Sequence, residues 1–130
     1  MTTYLLDANV LIALTVAEHE HHVRASRWVT TVERFALCAV VEGALVRFLV
    51  RLGESASVAQ AVLQSVHALP PCEYWGDAPS YVDANLTGVT GHRQVTDAYL
   101  VATAVAHSAS LATLDRALAA RAPHHVTFLG

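Results

Sequence analysis

Asp7, Glu42, Asp97 and Asp115 are the residues of this chain best placed to do chemistry, because each stands where an apolar run begins or ends. Asp7 ends the strand-like Thr3-Tyr4-Leu5-Leu6, and Glu42 follows the apolar stretch from Phe35 to Val41. Asp97 opens the run Tyr99-Leu100-Val101-Ala102, and Asp115 closes Leu111-Ala112-Thr113-Leu114. In a protein that alternates strands and helices, strand ends and helix starts meet along one edge of the sheet, where ligands usually bind. Carboxylates gathered there repel one another unless a cation sits among them, so their convergence points to a bound divalent metal. Each residue alone has a plainer reading. A carboxylate at a helix start gains roughly 0.3–1 kcal/mol from the helix dipole, so Glu42 and Asp97 can be dipole residues and Asp115 an ordinary cap. As a set, with Asp7-Ala8-Asn9 closing the first strand, they favour metal chemistry.

The elements that must position them follow from patterning. Thr3–Leu6 reads as a buried strand, with Asn9 as N-cap of a short helix over Val10–Thr15. Glu20–Val32 carries Ala25, Trp28, Val29 and Val32 at helical spacing, and Arg34–Cys38 is a second short strand. Val41, Leu45, Phe48, Leu49 and Leu52 mark a helix over 40–52 that Gly53 ends. Ser55 or Ser57 caps the next helix, which runs toward Leu69 and stops at Pro70-Pro71. Cys72–Trp75 is a brief strand, and Pro79 suits the first turn of a helix reaching about Leu86. A glycine-containing loop over 88–93 leads to a helix over Thr96–His107, then a strand over Leu111–Leu114. A short helix over Arg116–Ala120 and a last strand over His125–Leu129 complete the order. Short apolar strands separated by helices predict a three-layer α/β/α sandwich around a short, mostly parallel sheet.

Length and composition bound the answer. The 130 residues fit a single domain, 1–130, and 54% hydrophobic content supplies a core covered on two faces. Charged residues are only 15%, so part of the apolar surface is expected to meet another chain; an Ala- and Val-rich core explains the same figure. Net charge is −3, so total charge does not mark a nucleic-acid binder, although ions at an acidic site reverse the local field. Cys38 and Cys72 lack a C-x-x-C pairing and read as reduced, buried small residues. With no signal-like stretch and no apolar run of transmembrane length, the expected compartment is the cytoplasm, with no membrane contact.

All eight basic residues are arginine; there is no lysine. That sets several carboxylate-using classes aside. A P-loop needs its lysine on the phosphates, and no G-x-x-x-x-G-K-[ST] occurs. Haloacid-dehalogenase-type phosphatases, receiver domains and isochorismatase-type hydrolases also depend on a lysine. Without G-x-G-x-x-G there is no dinucleotide-binding loop. Chemistry done by metal and carboxylate alone is left.

Four segments carry a family resemblance: Tyr4-Leu5-Leu6-Asp7-Ala8-Asn9, Val41-Glu42-Gly43-Ala44-Leu45-Val46-Arg47, Val95-Thr96-Asp97-Ala98-Tyr99-Leu100 and Ala112-Thr113-Leu114-Asp115. In order and spacing they resemble the four acidic motifs of the PIN domain, in particular the VapC toxins of bacterial VapBC toxin–antitoxin modules. The resemblance spans the chain; each motif alone is weak, and four in order are specific. It implies a Mg²⁺-dependent endoribonuclease, with Mn²⁺ as substitute, acting as the toxin of a type II toxin–antitoxin system. The catalytic and metal-binding carboxylates carry over onto Asp7, Glu42, Asp97 and Asp115, with Asn9 and Thr113 as polar supports. In the two-metal scheme so implied, Asp7, Glu42 and Asp97 surround an ion that activates water. Asp97 and Asp115 lie nearer a second ion, on the leaving 3′ oxygen. Attack by water leaves 5′-phosphate and 3′-hydroxyl ends. The implied partners are an RNA substrate, a cognate VapB-like antitoxin whose tail crosses the helices around Glu42, and a second copy in a homodimer.

One departure is Cys38-Ala39, where many relatives carry Ser or Thr; it removes a helix cap or a supporting hydrogen bond, not a metal ligand. The fourth acidic position is the most variable in such sites, which makes Asp115 the least certain member. Arg93, in the loop before Asp97, is the best candidate RNA phosphate contact; a surface salt bridge is the plainer role. Arg24, Arg27, Arg47 and Arg51 lie on helices and suit RNA, acidic groups or a partner protein. His19, His21 and His22 lack further partners at ligand spacing and read as a solvated or substrate-facing helix start, while Trp28 and Trp75 read as packing residues. Two other classes stay open. A PIN scaffold without catalysis, serving only to bind, would fail to take up Mn²⁺ in calorimetry. A metal-dependent phosphatase or structure-specific DNA nuclease would prefer structured DNA to RNA.

Overall fold

The computed structural model describes residues 2–130. Five strands, β1 (Thr3–Leu6), β2 (Arg34–Leu37), β3 (Cys72–Tyr74), β4 (Ser110–Thr113) and β5 (Val126–Phe128), form one sheet in the order β3-β2-β1-β4-β5. Every adjacent pair is parallel, so the sheet is wholly parallel, where the sequence predicts mostly. Six α-helices connect the strands: α1 (Ala8–Thr15), α2 (His22–Val29), α3 (Ala39–Arg51), α4 (Ala56–His67), α5 (Val95–Ala106) and α6 (Arg116–Arg121). Right-handed crossovers place α1 to α4 over one face and α5 and α6 over the other, giving the expected three layers.

The apolar runs become strands because both faces are covered. Leu5, Leu6, Phe35, Leu37 and Leu111 are completely buried, and Val41, Leu45, Leu11 and Leu100 close over them from the helices. Burying one such side chain is worth about 1.5–3 kcal/mol, which makes this strip the main driving force for the sheet. Caps set the helix ends. Ser55 caps α4 by accepting from the Val58 N–H, as one of the two candidate serines was expected to. Gly53, at φ +99°, ends α3: its own N–H donates to the Val50 carbonyl and that of Glu54 to the Leu49 carbonyl. Cys38 occupies the N-cap of α3 and makes no side-chain hydrogen bond there, so the cap expected to be lost is absent.

Two local expectations are corrected. Asn9 does not cap α1; Asp7 does, accepting from the Ala8 N–H at 2.7 Å, and Asn9 lies inside the helix. Pro79–Leu86 is not helical but a series of turns. The Tyr99 hydroxyl donates to the Pro79 carbonyl at 2.8 Å, occupying an acceptor a helix would use, and Ser80 Oγ accepts the Val82 N–H. Val82 is 91% exposed, so no apolar stripe pulls the segment onto the core. Just before it, Trp75 is buried and stacks on His107 with ring centroids 3.8 Å apart, a packing role as expected. Trp28 packs edge-on against Tyr4. No described helix is long and apolar enough to cross a membrane.

Candidate active site at the β1–β4 crevice

The chain builds β1, β2 and β3 in one direction, then crosses to the other side of β1 to lay down β4 and β5. The reversal falls between β1 and β4, and a crevice opens there beyond the carboxyl ends of the two strands. Asp7 directly follows β1, and Asp115 follows β4 as the N-cap of α6, accepting from the Leu118 N–H at 3.1 Å. Asp97 sits in the first turn of α5. Glu42 sits in the first turn of α3, after β2.

Thr113 joins the parts of this crevice. It is fully buried, and its hydroxyl donates to Asp7 Oδ2 at 2.7 Å. Thr113 Oγ1 in turn accepts from Asn9 Nδ2 at 3.2 Å and from the Asp115 N–H at 3.0 Å. Asn9 Oδ1 accepts the Leu114 N–H at 3.1 Å, so the amide bridges α1 to the end of β4. Asn9 and Thr113 thus tie together groups more than a hundred residues apart in the chain. A local sequence pattern has no means of showing that.

Charge accumulates at the same place. Burial raises the pKa of Asp7, and the charges of Asp97 and Asp115 raise it further, against hydrogen bonds from Thr113 and Ala8. Asp97 is raised by burial and by Asp115, while Arg121 acts in the opposite sense. Arg121 Nη2 lies 3.7 Å from Asp97 Oδ2, a partly exposed ion pair. Three of the four acidic residues therefore share one electrostatic environment.

Glu42 is placed differently. Its carboxylate pairs with His67 Nε2, near the end of α4, at 2.5 Å, with the His67 ring tilted against Tyr74. Its charge acts on the thiols of Cys38 and Cys72, and Cys72 is pushed up to about 11, chiefly by burial. The elements bring Glu42 to the same edge of the sheet as the other three, but its side chain is turned to the β2–β3 side. Among the described residues no three Asp, Glu, His or Cys side chains stand in a ready-made metal-binding arrangement.

Arg93, on the single 3₁₀ turn His92–Gln94, is exposed just before α5. Arg121 and His67, which sequence reasoning did not single out, touch the acidic residues directly. Arg121 ends a helix of six residues, too short for periodicity to tell which way it faces. His19 and His22 make local contacts, with the His21 N–H and the Ala13 carbonyl.

The donor set at the crevice is all oxygen: carboxylates of Asp7, Asp97 and Asp115 with the Thr113 hydroxyl and the Asn9 amide behind them. Such donors suit a hard divalent cation such as Mg²⁺ or Mn²⁺, which would offset both the burial and the neighbouring carboxylate charge that raise Asp7 and Asp97.

Comparison with known proteins agrees with this architecture. The PIN domain model matches residues 4–123. The chain is 52% identical to Ribonuclease VapC29 of Mycobacterium tuberculosis over 118 residues, 90% of this chain and 89% of that protein. It is 37% identical to Ribonuclease VapC44 of the same organism, over 88% of this chain and 87% of the relative. The crystal structure of VapBC2 from Rickettsia felis, bound to a promoter DNA fragment, matches with a TM-score of 0.68 over 98% of each chain at 13% identity. At that identity the likeness concerns the fold. The chain belongs to the PIN-domain family and, within it, to the VapC proteins.

Proposed function

We propose that this protein is a divalent-metal-dependent endoribonuclease that serves as the toxin of a type II toxin–antitoxin pair. The observation that carries the reading is the meeting of Asp7, Asp97 and Asp115 at the β1–β4 crevice, in a chain similar along most of its length to a named VapC ribonuclease. In this reading Asp7, Asp97 and Asp115 hold Mg²⁺ or Mn²⁺, and Glu42 joins them on leaving His67. Ions held there would supply the chemistry of the two-metal pattern of phosphodiester hydrolysis, activation of water and charge stabilisation at the departing 3′ oxygen.

The chain's own residues do the positioning. The Thr113 hydroxyl and the Ala8 N–H hold the Asp7 carboxylate in one orientation, with Asn9 bracing Thr113, so little side-chain freedom is lost when a ligand arrives. The acidic crevice repels an RNA phosphate until its charge is neutralised, which ties substrate binding to metal uptake. Water attack breaks the P–O3′ bond and leaves 5′-phosphate and 3′-hydroxyl ends. A cognate VapB-like antitoxin and a homodimer complete the proposal, placed in the cytoplasm. Support for chain–chain contact comes from exposed apolar residues such as Val50, Leu52 and Val58 on α3, α4 and the turn between them.

Purified protein is expected to cut RNA with Mg²⁺, to stop when EDTA is added, and to recover with Mn²⁺. Cleavage that persists unchanged in EDTA, or no cleavage of total RNA with either metal, defeats the proposal.

A further inference from the structure

Beside the acidic crevice, between α5, α6 and the loop before α5, lies a cleft of about 420 Å³. Asp97 lines its mouth, so the cleft opens directly from the candidate catalytic centre. We propose that it is a nucleoside subsite that takes the base next to the scissile phosphate and selects it by hydrogen-bond donors from Asn85 and Gln94. The inference rests on the ribonuclease reading and adds to it the place where RNA sequence is read.

Size comes first: pockets for small organic ligands start at about 300 Å³, so the cleft accommodates one ribosylated base. Its floor is apolar, formed in part by Val101 and Leu118, as a base needs for its flat faces. Its rim is polar, and the polarity has a defined sense. Asn85 Oδ1 already accepts the Thr87 N–H at 3.0 Å. Gln94 Oε1 already accepts both the N–H and the hydroxyl of Thr90, at 2.8 and 3.2 Å. With the carbonyl oxygens engaged in the loop, the NH₂ groups are the free ends of the two amides, and in the proposed subsite they serve as a pair of donors. Guanine presents adjacent acceptors at O6 and N7, and cytosine at O2 and N3. Adenine places an amino donor next to N7 or N1 and is disfavoured.

Arg121 joins the cleft to the acidic site. Its guanidinium lines the cleft and lies 3.7 Å from Asp97, so it stands between the cleft and the carboxylates. The reacting phosphodiester of a cleft-bound nucleoside is attached directly to it and lies beside Arg121, and arginine is well suited to grip that group. Arg93, the candidate from sequence, does not line this cleft; Arg121 does.

The test is an NMR titration of the ¹⁵N-labelled protein in EDTA with each of the four nucleoside 5′-monophosphates. Side-chain amide signals of Asn85 and Gln94 and the Arg121 Nε signal are expected to shift. GMP and CMP are expected to bind about 3- to 10-fold more tightly than AMP, the worth of one hydrogen bond. Asn85→Asp with Gln94→Glu keeps the loop's acceptor oxygens but removes the donors, and is expected to abolish or reverse that order. Val101→Trp fills the floor and is expected to remove the shifts, with circular dichroism reporting that the fold is kept. Shifts confined to other surfaces, equal affinity for all four nucleotides, or an order unchanged by the double substitution overturns the subsite. RNA cleavage by the same preparation is scored separately. Cleavage without nucleotide in the cleft defeats this inference alone, and nucleotide in the cleft without cleavage defeats the ribonuclease reading.

Discussion

The two flanks of β1 meet the candidate site in opposite ways. On the β4 side, Asp7, Asn9, Thr113 and Asp115 form a closed set of hydrogen bonds around a threonine with no exposed surface. On the β2 side, Glu42 is held by one histidine, and the two side chains are 18% and 42% exposed. The difference shows where preorganisation resides. Buried networks in low dielectric resist change because breaking any member leaves another unpaired, whereas a partly exposed pair exchanges with water at little cost. One flank is built as a fixed wall, and the other carries an arm.

That contrast can be broken or sharpened by substitution. The largest effect belongs to Asp97→Asn, which removes a charge that acts on Asp7 and pairs with Arg121. RNA cleavage is expected to fall by more than the roughly 10–100-fold that loss of a supporting group costs at a metal site. The metal-free melting temperature at neutral pH is expected not to drop. Because burial and Asp115 raise its pKa, ionised Asp97 is a burden on the fold that lightens as pH falls toward 3.8. Any stabilising effect of Asn therefore fades in acid. Cleavage at the wild-type rate ends the assignment of Asp97.

A smaller effect is expected for Thr113→Val, which keeps the shape and deletes the hydroxyl. Asp7 Oδ2 then loses its buried partner, at a cost of about 1–3 kcal/mol in denaturant unfolding. Mn²⁺ affinity measured by calorimetry is expected to fall, while Thr113→Ser stays near wild type. If Val is as stable as Thr, the wall is not a network.

The mildest change is His67→Ala. As the pair is partly exposed, stability is expected to move by no more than about 0.5 kcal/mol. Freed from His67, Glu42 is expected to raise Mn²⁺ affinity about two- to fivefold, matching an exposed pair worth at most about 1 kcal/mol. A weakened affinity means that His67 presents Glu42 to the ion, and the β2 flank is preorganised after all.

The same contrast separates what was legible in the sequence from what was not. Thr3–Leu6 is read with its observed bounds, and Gly53 and Ser55 mark their helix ends, because strand burial and capping are local. The acidic residues fall at the sheet edge for the same reason. The partners of Asn9 are not local, so a residue that reads as a cap is a cross-link instead. Glu42 lies in the right turn of the right helix, yet its direction is set by His67, 25 residues later. Pro79 suggests a helix start, and the Tyr99 hydroxyl, 20 residues away, takes the carbonyl that helix would need. Arg121 acts through a tertiary ion pair that no spacing announces.

The bond between Thr113 and Asp7 spans 106 positions, nearly the full length of the polypeptide. Every pairing in the parallel sheet likewise joins segments distant in the chain, a topology that slows folding. A growing chain still short of β4 carries Asp7 and Asp97 but has nothing to set them against. The crevice therefore does not exist until β4 has been made and paired with β1.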